Sequence, residues 1–158
     1  MRMIDIRVEA ESRASPQSAF RLLRDGATWP RWSLFEAFEL ERPGHDDPLG
    51  VGAIRVFSTR VSRAREEIVE MVQGQRLVYT LLSGFPFQDY RAEIDLLPGP
   101  MGKTLIRWHS SFRVRHFATG WFWRLFMRKA LNDVAHQLAR AAEDHAIVST
   151  AAELCSDT

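Results

Sequence analysis

From residue 34 to residue 115 the sequence calls for strand after strand with only short breaks, and from residue 119 it switches to one long helical pattern. No other feature restricts the fold as much. The strand signal is clearest where apolar and charged residues alternate. In Gln88–Leu97, Tyr90, Ala92, Ile94 and Leu96 share one face and Arg91, Glu93 and Asp95 the other. In Thr104–Arg115, Ile106, Trp108, Ser110, Phe112 and Val114 oppose Arg107, His109, Ser111, Arg113 and Arg115. Near the N-terminus Ile4, Ile6, Val8 and Ala10 alternate with Asp5, Arg7, Glu9 and Glu11 in the same way. Period two predicts strands with one buried and one wet face. Leu34–Glu41, Ala53–Ser58, Ser62–Val72 and Leu77–Leu82 complete the set. The breaks between them are rich in Gly and Pro, as turns require.

Two short helices interrupt the strands early. Ser15-Pro16 reads as an N-cap followed by proline at the first helical position, and Asp25-Gly26 as a stop. Trp29-Pro30-Arg31-Trp32 reads as a second helical turn. In the C-terminal helix Leu131, Val134, Leu138 and Ala142 form the apolar stripe, and periodicity fades after residue 145. The expectation is one domain over residues 1–146 and a flexible tail over 147–158. Short turns favour antiparallel neighbours, and only the terminal helix is long enough to cover the sheet. The fold class is therefore α+β: a curved antiparallel sheet of six or seven strands around a long C-terminal helix.

Several functions are disfavoured at once. The net charge of +1 gives no electrostatic case for nucleic acid. No apolar run reaches the roughly 18 residues of a span, so integral membrane association is not expected. The N-terminal alternation argues against a secretory leader, and a cytoplasmic location is expected. The single cysteine, Cys155, allows neither an internal disulfide nor a cysteine-based zinc site. His45-Asp46-Asp47 lies in a Pro/Gly-rich loop and reads as solvated, so no metal is expected. His109 reads as a surface residue on the charged face of its strand. No nucleophile elbow or phosphate-cradling glycine loop appears, and no cofactor is implied.

Two features exceed what packing needs. Trp121, Phe122, Trp123, Leu125, Phe126 and Met127 are apolar all around the start of the long helix, interrupted only by Arg124. They pack against Trp29 and Trp32, or line a cavity, or form a membrane or partner patch; for the last, a lone arginine supplies little basic character. Second, polar residues fall among inward-facing strand positions: Arg55, Glu66, Tyr79, Asp89, Tyr90 and Arg107. Arg55 and Glu66 should pair if both turn inward. A one-residue register shift flips Asp89 or Arg107 to the other face, so alternation leaves both unplaced.

The order of motifs carries a resemblance. Ser15-Pro16 and Trp29-Pro30-Arg31-Trp32 come first, then Gly50-Val51-Gly52-Ala53-Ile54-Arg55. Arg76-Leu77-Val78-Tyr79 leads into Ser83-Gly84-Phe85-Pro86-Phe87-Gln88-Asp89-Tyr90, and Gly102-Lys103-Thr104-Leu105-Ile106-Arg107-Trp108 precedes the long helix. Over about residues 3–145 the chain resembles the START-like (SRPBCC) superfamily with its helix-grip fold, above all the polyketide cyclase/dehydrase and lipid-transport branch. The resemblance implies a deep apolar pocket between sheet and C-terminal helix. Its expected lining is Trp32, Arg55, Tyr79, Phe85, Tyr90, Trp108, Phe112, Trp121, Leu125 and Phe126. Its expected partner is a hydrophobic small molecule such as a lipid, polyketide or isoprenoid-like compound. The first reading is a binding protein. A polyketide aromatase/cyclase and a protein-interaction module using residues 121–127 stand as alternatives.

Overall fold

The computed structural model describes residues 2–156. Seven strands make one antiparallel sheet: β1 (Met3–Ser12), β2 (Ala37–Arg42), β3 (Ile54–Ser58), β4 (Arg63–Val72), β5 (Arg76–Ser83), β6 (Phe87–Pro98) and β7 (Thr104–Val114). Their order across the sheet is β1-β7-β6-β5-β4-β3-β2, so β2 to β7 form a meander and β1 closes onto β7. Three helices complete the chain: α1 (Pro16–Arg24), α2 (Trp29–Trp32) and α3 (Gly120–Ser156). The expected α+β class and curved antiparallel sheet of six or seven strands are what the chain adopts, with seven strands.

Local chemistry sets the element boundaries. The Ser15 hydroxyl accepts from the Ser18 amide at 3.2 Å, with Pro16 opening α1, so one orphan amide of the first turn is satisfied. At the far end the Asp25 carboxylate accepts from the Ala27 amide at 3.0 Å and starts a 3₁₀ turn over Gly26–Thr28. Gly26 lies against Phe38, and a Cβ there would fall 2.2 Å from the ring. Glycine thus lets the α1–α2 corner sit on β2.

The two sheet faces differ as the alternation requires. Outward, charged side chains pair across strands. Arg76 meets Glu70 and Asp95, Arg107 meets Glu9, and His109 lies 3.0 Å from Asp5. These are exposed or half-exposed pairs and contribute little individually. They do identify the wet face. Inward, Ile6, Val8, Ala10, Ile68, Leu77, Ala92, Ile94, Leu96, Ile106 and Phe112 form the core with Phe20 and Leu23 of α1.

α3 contributes Met127, Leu131, Ala135, Leu138, Ala139 and Ala142 to that core. Three of the six are alanine, which allows close approach to β1 and α1. Two contacts latch it. The Ser12 hydroxyl donates to the Ala139 carbonyl at 2.8 Å, and the Arg13 amide donates to Glu143 at 2.8 Å. Beyond Ala146 the helix continues to Ser156, with Ile147, Val148 and Leu154 exposed. Of the expected tail over 147–158, residues 147–156 continue the helix and 157–158 lie outside the described residues. Alanine and other residues compatible with helix carry it on after the apolar stripe has ended.

Candidate functional site

The inner face of the sheet holds a line of polar groups where the core is otherwise apolar. Arg55 of β3 pairs with Glu66 of β4 in register, and both are buried. The Arg55 Nε donates to Glu66 Oε1 at 2.9 Å, its Nη2 reaches the same oxygen, and its Nη1 donates to the Leu23 carbonyl at 3.0 Å. The guanidinium also lies 5.3 Å from the Trp29 ring and 5.1 Å from that of Phe57. A fully buried cation is thus held by a carboxylate, a carbonyl and two ring faces. Burial pushes the Glu66 carboxyl above its ordinary range, and Arg55 pulls back against that.

The line continues on β5, β6 and β7. The Tyr79 and Tyr90 rings lie 6.1 Å apart, and the Tyr90 hydroxyl is 3.0 Å from that of Ser110. Burial raises both phenols, Tyr79 well above the ordinary 10, with Tyr90 and Glu66 adding to the rise at Tyr79. Both therefore stay protonated at neutral pH. Trp108 is 1% exposed, and its indole Nε1 is buried without a hydrogen-bond partner. A buried N–H left unpaired costs on the order of 1–3 kcal/mol.

Aromatic rings surround the line in two groups. Trp29 is the centre of one, with Trp32, Phe35, Phe57 and Trp108 within 6.2 Å. Phe87 is the centre of the other, with Phe85 at 5.4 Å, Tyr90 at 5.9 Å, Phe112 at 4.3 Å and Trp123 at 5.1 Å. From Trp123 the rings lead to Phe122 and Phe126 at the surface of α3. A chain of rings thus runs from the exposed helix to the buried phenols.

Seven of the ten expected lining residues fall in these groups: Trp32, Arg55, Tyr79, Phe85, Tyr90, Trp108 and Phe112. The three from α3 lie differently. Trp121 is 68% exposed, Leu125 61% and Phe126 44%, so Trp121 lies in solvent, Leu125 lies at the open rim beside β1, and Phe126 only borders the ring chain. Each α-helical residue advances by about 100°, and the stripe through Met127 and Leu131 leaves the other side of the first turns to solvent. The ring contacts made by Trp29 and Trp32 among the described residues are with Phe35, Phe57 and Trp108 rather than with the rings of this segment. Arg107 faces outward to Glu9, and Asp89 is exposed, 3.6 Å from Arg113.

Phe87 is the residue that alternation missed. It shares the inner face with Tyr90 although their numbers differ in parity. The reason is a bulge between Gln88 and Arg91, in which Asp89 adopts φ 52°. Aspartate tolerates this left-handed conformation better than most residues, so Asp89 was the available signal. His45, Asp46 and Asp47 gather no metal-ligand cluster, and none occurs among the described residues. The Asp47 carboxylate instead pairs with Arg24 and accepts from the Leu49 amide.

The rings of Trp29, Phe57, Phe87 and Phe112 pack beside the polar line. Two hollows open elsewhere. One of about 540 Å³ lies between Arg7, Val8 and Glu9 of β1 and Leu125, Arg128, Lys129 and Asn132 of α3. One of about 470 Å³ lies by Pro16, the Gly74 turn and the end of β6. Neither is lined by Arg55, Glu66, Tyr79 or Tyr90.

Comparison with known proteins gives the geometry a context. The chain resembles solved structures of XoxI from Bacillus cereus (TM-score 0.74, 16% identity, 89% of this chain and 96% of that one) and of a START superfamily protein from Mycobacterium smegmatis (0.69, 14%, 90% and 96%). It is also similar to an uncharacterised protein from Bacillus thuringiensis (0.69, 15%, 91% and 98%). At these identities the likeness is one of fold. No curated protein matches the sequence. A family model described as polyketide cyclase / dehydrase and lipid transport matches residues 3–143, nearly the whole chain, and the chain belongs to that family.

Proposed function

We propose that the protein binds a hydrophobic small molecule carrying one or two oxygen functions, against the inner face of the sheet. The observation that carries this reading is the buried, unpartnered Nε1 of Trp108 beside a line of protonated phenols. A carbonyl or hydroxyl oxygen on an otherwise apolar ligand supplies the missing acceptor, while the rings of Trp29, Phe57 and Phe112 offer apolar contact. The family and fold fit a ligand-binding protein of this kind. Admission requires the rings of Phe85, Phe87 and Trp123 to move aside. The ligand's chemical class and any transport role belong to this proposal.

Native mass spectrometry with organic extraction of the purified protein tests it directly, together with saturable binding of an apolar dye. A co-purifying apolar molecule that displaces the dye is the expected result. Trp108→Phe removes the unpaired donor and should weaken binding of the extracted molecule by about tenfold, while stability stays within roughly 1 kcal/mol. Absence of both a bound molecule and saturable dye binding would overturn the reading.

One observation favours a second reading, a polyketide aromatase/cyclase. The Tyr79 and Tyr90 rings lie 6.1 Å apart with Glu66 close enough to raise both phenols, so two protonated hydroxyls sit together on the inner face. They would orient carbonyls or protonate an enolate. Turnover of a poly-β-ketone thioester mimic, lost in Tyr79→Phe while binding persists, would identify the enzyme. Binding without turnover leaves the carrier reading.

A further inference from the structure

The outer side of the first turns of α3 is apolar where a helix packed on a sheet should be polar. Phe117 is 82% exposed in the turn before α3, and Trp121, Phe122, Leu125 and Phe126 follow it on the solvent side. In the next turns of the helix the solvent side carries polar residues, with His136 half-buried and Arg140 exposed, so this aromatic cluster is bounded along the helix. A patch built from three phenylalanines, a tryptophan and a leucine in adjacent turns is larger than scattered surface exposure explains.

Charge decides what covers it. No aspartate or glutamate occurs between Asp95 and Asp133, a stretch that includes the whole patch. Arg115, Arg124 and Arg128 are exposed, and no ion pair involves them among the described residues, where most other arginines are paired. The 540 Å³ hollow adjoins the patch through Leu125, and Arg7, Arg128 and Lys129 converge on it with Asn132; Glu9, also on its rim, is occupied by Arg107, and Lys129 contacts Asp133 at 2.6 Å. Tertiary structure therefore adds bases from β1 and the next helical turn to an aromatic segment that contains only Arg124.

From this juxtaposition we infer that the N-terminal end of α3 docks the protein on the surface of an anionic lipid bilayer. Trp121, Phe122, Leu125 and Phe126 enter the interfacial layer, and Arg7, Arg128 and Lys129 face the lipid phosphates from the adjoining hollow. Tryptophan and phenylalanine favour the boundary between headgroups and acyl chains, and cations beside them add attraction to anionic lipid. No helix among the described residues is long and apolar enough to cross a membrane, so the contact is peripheral. The ring chain from Phe122 through Trp123 to Phe87 begins at this surface.

Co-sedimentation with vesicles tests the inference on the full chain, independently of any bound ligand. Phosphatidylcholine vesicles are compared with vesicles containing about a third phosphatidylglycerol. Binding to the anionic vesicles, weakened by salt and accompanied by a blue shift of tryptophan emission, is expected. Trp121→Ser with Leu125→Ser should reduce binding at least about tenfold. Arg128→Gln with Lys129→Gln should reduce it about 25-fold, from roughly a factor of five per cation, and should not affect binding to the neutral vesicles. All four positions are exposed, so unchanged thermal unfolding confirms that each variant folds. No sedimentation with anionic vesicles overturns the inference. So does equal binding to both vesicle types, or a dimer dispersed by Trp121→Ser with no vesicle binding, which would assign the patch to a second copy.

Discussion

Arg55 and Glu66 show how one buried pair is defined by its neighbours. Each is buried, and the guanidinium has no route to water, so removing one partner strands the other. Glu66→Leu should cost about 3–5 kcal/mol in urea unfolding, and adding Arg55→Met should recover much of that loss. The pH dependence has a definite sign. Burial places the folded-state value of Glu66 above its ordinary 4.5, so the native state holds the proton more tightly than the unfolded chain. That contribution to stability is full below pH 4.5 and is lost as pH rises through the folded value. Glu66→Gln cannot titrate, and stability measured against pH should lose this falling limb.

Among the elements, the β5–β6 hairpin and the end of α3 differ in how much they tolerate. Gly84 has φ 115°, and a Cβ there would lie 2.5 Å from the Arg63 carbonyl oxygen. Gly84→Ala should therefore destabilise by about 2 kcal/mol in urea unfolding, and the stacking of Phe85 on Phe87 should loosen with it. The last turns of α3 make no comparable demand. Ile147, Val148 and Leu154 are exposed, so truncation after Ala146 should leave the unfolding free energy within about 0.5 kcal/mol. A larger loss by calorimetry would mean that the extension packs on something.

For the molecule as a whole, helix and sheet are joined by few polar contacts, and one of them titrates oppositely to Glu66. The Arg13 amide, and then its guanidinium, hold the Glu143 carboxyl below its ordinary 4.5. A lowered value gives stability that is present above pH 4.5 and lost as pH falls through the folded value. Glu143→Gln should lower stability at neutral pH by about 1 kcal/mol and reduce the acid sensitivity of thermal unfolding. Asp47, held down by the Leu49 amide and Arg24, adds to the same acid limb. The inner pair and this outer latch thus pull the pH profile in opposite directions.

The sequence by itself determined the elements and which side of most strands is buried, because period two and the switch to helical period are local properties of Ile94, Trp108 or Leu131 and their neighbours. It also placed Tyr90, Trp108 and Phe112 on one inner surface. Only tertiary structure decided that Phe87 joins them, since the bulge at Asp89 resets the alternation. The same holds for the pairing of Arg55 with Glu66, which depends on cross-strand register, and for the exposure of Trp121 and Leu125. A helix that is apolar all round does not say which side the sheet will take; the stripe that best fits β1 and α1 does, and the remaining rings are left in water.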